Sequence, residues 1–200
     1  MLPRRKTEVD ASAKRSNAAE SNEVRLLSLI VGGDRRAFET LYRGYFPRLT
    51  RFLGQMTRSA NIIEEIVNDT MLVVWQKAHT FNGSCKVSTW IFAIAYRKAL
   101  KAMQGLDEPV ESDFEQASGD MAHEPEHEIG HQQLQGKVGV ALDALSFEQR
   151  TVVILTFFHG MAYEEIAETM ACPVNTVKTR MFYARSRLKT LLADQMGEVR

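Results

Sequence analysis

Between Gly105 and Gly136 the chain carries nine aspartates and glutamates, two prolines, few large apolar residues and no lysine or arginine. Such a stretch repels itself and has too little apolar surface to offset the entropy of ordering, so it reads as a solvated linker. Whatever folds must therefore fold before it and after it. The simplest organisation is two compact bodies, 24–104 and 135–194, joined by a flexible acidic segment 105–134. Residues 1–23 are polar and are expected to form a flexible tail, and 195–200 a second, short one.

Both bodies show the three-to-four-residue apolar period of helices, and no pair of alternating runs is joined by an Asn-Gly or Asp-Gly turn. The expected fold class is all-α. A short helix through VRLLSLIV should end at Gly32-Gly33, after which Asp34 caps the next helix. There Phe38, Leu41, Tyr42, Tyr45, Leu49 and Phe52 make one apolar stripe, with Pro47 predicting a kink. In NIIEEIVNDTMLVVWQKA, Ile63, Ile66, Val67, Val74 and Trp75 can face the core, and Glu65, Asn68, Asp69, Leu72 and Gln76 lie on the other side. After FNGS a fourth helix, STWIFAIAYRKALKAM, takes Ser88 as its N-cap. Beyond the linker, VGVALDAL is amphipathic, Ser146 and Gln149 fit a capping box opening FEQRTVVILTFF, and Gly160 closes that helix.

Several functions are disfavoured by composition. Cys85 and Cys172 are far apart and outside any CxxC pair, so neither a disulfide framework nor a cysteine zinc site is expected. The apolar runs fall well short of the roughly 20 residues of a bilayer span, and the first residues lack a signal-peptide core; the expectation is a cytoplasmic protein without membrane insertion. HEPEH, His123 to His127, matches HExxH, yet Pro125 between the histidines disrupts the single helix that a zinc protease needs. These histidines read as solvated linker residues; no metal, cofactor or enzymatic activity is expected.

Lysine plus arginine equals aspartate plus glutamate, so the net charge of zero is silent on partners and the local pattern must speak. Two helices, YEEIAETM and NTVKTRMFYARSRLKTLL, flank the short turn ACPV. Ile166, Met170, Val174, Val177, Met181, Ala184 and Leu188 can share one small core, with Ala167 at the close crossing, as in a helix-turn-helix. Between Cys172 and Leu192 there are five positive charges and no negative one. The outward residues Asn175, Thr176, Lys178, Thr179, Arg180, Phe182, Tyr183 and Arg185 suit phosphates, base edges and thymine methyls.

Taken with the first body, this pattern resembles the extracytoplasmic-function (ECF) sigma factors of the sigma-70 family, from about Asp34 to Leu192. IIEEIVNDTMLVVWQKA is similar to region 2.2, which implies docking on the β′ clamp helices of core RNA polymerase through Glu65, Asn68, Asp69, Leu72 and Gln76. FNGSCKVSTWIFAIAYR resembles regions 2.3 and 2.4, which melt and read the −10 element. Physically, Phe81, Asn82, Gly83, Ser84 and Lys86 supply a loop able to wrap an unstacked base, and Trp90, Tyr96, Arg97, Lys98 and Lys101 supply rings and charge. Trp90 is equally suited to the core. The stretch from Leu142 to Leu188 is similar to region 4, implying −35 recognition and contact with the β flap. An anti-sigma factor and a stress or envelope response are further implications, and the acidic linker is either an RNA mimic in the polymerase or a plain tether.

The chain departs from the family at Ala162, where Ser or Thr usually caps the first helix of the motif, at Tyr183, where a basic residue is frequent, and at Arg97, commonly asparagine. These departures bear on promoter sequence more than on polymerase binding. The alternative function is a helix-turn-helix regulator that acts without replacing a sigma factor.

Overall fold

The computed structural model describes the backbone of residues 5–106 and 138–197 and the side chains of 18–104 and 138–193. Among the described residues all regular structure is helical. Helix α1 (Arg5–Val31) ends where Gly33 takes φ +82°, a backbone conformation open to glycine at no steric cost. The N–H of Asp34 then bonds the carbonyl of Leu29, and the Asp34 carboxylate accepts from Arg36 and Ala37 N–H at 2.8 and 3.1 Å, opening α2 (Arg35–Gly54). Ser59 caps α3 (Ala60–Lys77); a single 3-10 turn, Ala78–Thr80, follows, and then α4 (Val87–Leu106). After the linker come α5 (helical residues 138–143), α6 (Phe147–Phe157), α7 (Tyr163–Met170) and α8 (Val174–Gly197).

The apolar stripes fold inward largely as the periodicity requires. Leu41, Tyr45, Leu49 and Phe52 of α2 meet Ile66, Val67 and Val74 of α3 and Ile91, Phe92 and Ala95 of α4, and Phe38, Tyr42, Ile63 and Trp75 are half-buried at the margin. Helix α2 runs unbroken through Pro47. In the second body Ile166, Met170, Val177, Met181 and Ala184 are buried together beneath Val152, Ile154 and Leu155 of α6. Ser146 accepts from the Gln149 N–H at 3.3 Å and Gly160 takes φ +63°, as the capping pattern predicts.

Three expectations are corrected. Residues 5–23 continue α1 instead of forming a flexible tail. No glycine or proline interrupts that stretch, and its far end is anchored by buried Leu27 and Ile30, so the helix propagates past the last apolar contact. The same propagation carries α4 to Leu106 and α8 to Gly197, beyond the expected domain ends at 104 and 194. Ser88 is not an N-cap: α4 opens at Val87, and the carbonyl of Lys86 takes the first helical bond, from Trp90 N–H at 3.1 Å. The HEPEH histidines lie outside the described residues.

The two bodies also touch, a feature that no local pattern announces. Their buried residues form one continuous core. Helix α7 lies along α4, Phe147 of α6 stacks on Tyr96 with ring centres 5.7 Å apart, and His159 packs 4.8 Å from Phe92 and 6.1 Å from Phe52. Polar fastenings flank this seam. Arg150 donates to the carbonyls of Gln55 and Asp143, and Asp143 also pairs with Arg58 and Arg150.

Candidate nucleic-acid and polymerase surfaces

The outward face of α3 is continuous and exposed. Glu65, Asn68, Asp69, Leu72 and Gln76 all reach solvent, with Leu72 51% exposed in their midst. The face is ordered from behind: the Tyr42 hydroxyl donates to Asn68 at 2.9 Å and Lys98 pairs with Asp69 at 2.7 Å. Beside it Arg35, Phe38, Leu72 and Trp75 line an open apolar groove of about 360 Å³. An exposed leucine thus stands next to an open apolar groove and is ringed by carboxylates and amides.

The second predicted cluster is brought together only in part. Asn82, Gly83 and Ser84 are exposed at the loop tip, where Gly83 holds φ +74° and Asn82 accepts from the Ser84 N–H at 3.0 Å. Phe81 and Trp90 are half-buried with ring centres 5.6 Å apart, so Trp90 serves the core with part of its surface and leaves part open. Arg97 and Lys101 are exposed on α4. Tyr96, expected to face a DNA strand, is instead 6% exposed beneath Phe147, and burial pushes its hydroxyl pKa up. Lys86 is held at 2.7 Å from Glu165 of α7, a hydrogen-bonded pair that raises the lysine pKa. Lys98 is committed to Asp69.

The third cluster lies on α8. Helices α7 and α8 meet at a tight turn in which Ala171 adopts φ +50°, while Cys172 N–H bonds the Ala167 carbonyl at 3.0 Å. Asn175, Lys178, Thr179, Phe182, Tyr183 and Arg185 project outward, with Phe182 67% exposed. Thr176 and Arg180 are half-buried; one guanidinium nitrogen of Arg180 lies 3.6 Å from Cys172 Sγ. An aromatic ring thus stands exposed amid cations, outside the core.

Some side chains that tie the helices together escaped the sequence. Glu165 compensates for the missing cap at Ala162: one carboxylate oxygen accepts from the Ala162 N–H at 2.8 Å and the other meets Lys86. Its signal was present, since a glutamate three residues after a helix start is the reciprocal half of a capping box. Glu23 accepts from the buried Tyr45 hydroxyl at 2.7 Å and pairs with Arg48 at 3.3 Å, which fastens α1 to α2. His159 shares a cavity of about 230 Å³ with Glu20, Glu23, Arg48, Lys86 and Glu165, and burial together with Arg48 and Arg51 holds its imidazole neutral, with the pKa lowered to about 4.

Residues 41–107 match the family model of Sigma-70 region 2, and residues 135–188 that of Sigma-70, region 4. The ECF RNA polymerase sigma factor RpoE of Cereibacter sphaeroides is 31% identical over 158 residues, covering 78% of this chain and 86% of that protein. The chain belongs to the ECF sigma factors of the sigma-70 family. This sigma factor is also 25% identical to the RNA polymerase sigma-H factor of Pseudomonas aeruginosa, over 90% of its own length and 98% of the relative's. Among solved structures, sigma factor RpoE in complex with the anti-sigma factor NepR from Bartonella quintana superposes with a TM-score of 0.60 at 25% identity, covering 78% of this chain and 96% of that one. CnrH in complex with the cytosolic domain of CnrY shares the fold, with a TM-score of 0.66 at 21% identity over 86% and 98% of the two chains. Among the described residues no helix of the sigma factor is long and apolar enough to cross a membrane, and no cluster of three or more metal-ligating side chains forms.

Proposed function

We propose that this alternative sigma factor docks on the β′ clamp helices through Glu65, Asn68, Asp69, Leu72 and Gln76, and that its helix-turn-helix reads the −35 element and meets the β flap. The loop from Phe81 to Lys86, with the nearby face of α4, reads the −10 element and holds an extruded base. Polymerase acts as the scaffold that sets the separation of the two bodies and raises their effective concentration on DNA. The protein performs no covalent chemistry; melting follows from binding the open strand better than the closed duplex. It works in the cytoplasm, in a stress or envelope response, and an anti-sigma factor that covers these surfaces regulates it.

The observation that carries this reading is the exposed row of Lys178, Thr179, Phe182 and Arg185 on α8, above a fully packed helix-turn-helix core. Run-off transcription with purified core polymerase tests it, using templates altered separately in the −10 and −35 elements. Initiation should need both proteins and fall with either alteration. Sequence-specific DNA binding by the sigma factor alone, with no redirected initiation, would establish the regulator function instead.

A further inference from the structure

We propose that the cavity of about 230 Å³ beside His159 is a binding site for a small zwitterion, an α-amino acid, whose ammonium meets Glu20 and whose carboxylate meets Lys86 and Ser88. The charges lining it do not balance. Arg48 is matched by Glu23 at 3.3 Å and Lys86 by Glu165 at 2.7 Å, which leaves the Glu20 carboxylate with no ion pair or hydrogen bond among the described residues. An unmatched carboxylate in a concave site draws a cationic group. The Nε2 atom of His159 is buried and also lacks a partner, a costly arrangement that a polar occupant relieves.

Donors for an anionic group are left over as well. An ammonium and a guanidinium each offer several N–H donors, and the ion pairs of Lys86 and Arg48 use only some of them. The Ser88 hydroxyl has no hydrogen bond among the described residues and stands in the first turn of α4, where the helix dipole favours negative charge. Burial, with Arg48 and Arg51, pushes the His159 pKa down to about 4, so at neutral pH the ring adds no positive charge, and with its proton on Nδ1 it accepts an ammonium hydrogen at Nε2. Ala19, Gly160 and Met161 complete the lining with a less polar wall for a short side chain. A divalent cation is a poor alternative, since among the described residues no three carboxylate, imidazole or thiol groups gather closely enough to hold one. The lining comes from α1, α2 and α4 on one side and from residues 159–165 on the other, so an occupant binds the two bodies jointly.

Thermal melts of the full chain test the site. The protein L-amino acids are added singly at about 10 mM and matched ionic strength, with sodium acetate and methylammonium chloride as compounds that carry only one of the two charges. At least one amino acid should raise the melting temperature by about 4 °C, and isothermal titration should give it a Kd of about 0.1 mM. Glu20→Gln and Ser88→Ala should each weaken that binding about tenfold, because each removes one polar partner of the ligand. Ligand-free melts report the folding of the variants, and one that melts early is set aside in favour of the other. No shift with any amino acid would overturn the proposal, as would a shift that acetate or methylammonium alone reproduces, or binding that a folded variant retains in full. The readout needs neither polymerase nor promoter, so its failure is distinct from failure of the functional reading above.

Discussion

Acidification should loosen this protein through one imidazole. His159 packs against Phe92 and Phe52, faces Arg48 and Arg51 of α2, and borders a cavity that also holds Glu20, Glu23, Lys86 and Glu165. Burial, with the charges of Arg48 and Arg51 added to it, lowers the folded pKa to about 4 from the ordinary 6.5. A base with a depressed folded pKa contributes its full stability above 6.5 and loses it as the pH drops from 6.5 through 4, because the unfolded chain takes up the proton first. At pH 5 this difference in proton uptake amounts to about 2 kcal/mol for a fully sealed ring; solvent at the half-buried edge lowers it to about 1 kcal/mol. Urea titrations of the wild type and of His159→Gln at pH 7.5 and pH 5 isolate the effect, since the other titrating groups are common to both proteins. The wild type should lose about 1 kcal/mol more than the variant between the two pH values. Parallel losses would refute the assignment of the acid sensitivity to His159.

Three other outcomes are expected. Leu72→Asp should weaken assembly with core polymerase about tenfold, read by fluorescence anisotropy, without changing the melting temperature, since the leucine is half-exposed and central to the α3 face. Phe182→Ala should lower run-off transcription about fivefold on a template with an intact −35 element and much less on one whose −35 element is scrambled, because the ring stands exposed on the proposed −35 face and outside the core. Ala171→Gly should stabilise the full chain by about 0.5–1 kcal/mol in urea titrations, as it relieves the left-handed alanine in the helix-turn-helix turn.

The helices were legible because their signals are local. The stripe from Phe38 to Phe52, the caps at Asp34 and Ser146, the stops at Gly33 and Gly160 and the shared core of Ile166, Val177 and Met181 all depend on spacings within a few residues. The α3 and α8 faces were legible for the same reason, since a helix with one apolar side necessarily turns its other residues outward. Where the reading failed along the chain, it failed at helix boundaries. Polar composition argued for a tail at residues 5–23, yet helix propagation from an anchored end needs no apolar side chains. Ser88 carried the right chemistry for a cap one residue too late.

The sequence by itself determined which segments are helical, which side of each faces inward, and where basic and aromatic groups gather on α8, because those properties follow from periods of three and four residues along one chain. Only the tertiary structure decided that Phe147 lies on Tyr96, that Glu165 reaches Lys86 and that His159 packs against Phe92. Each of those pairs spans more than fifty residues and the acidic linker, and its partners meet because two partly apolar surfaces exclude water together, an attraction without sequence register.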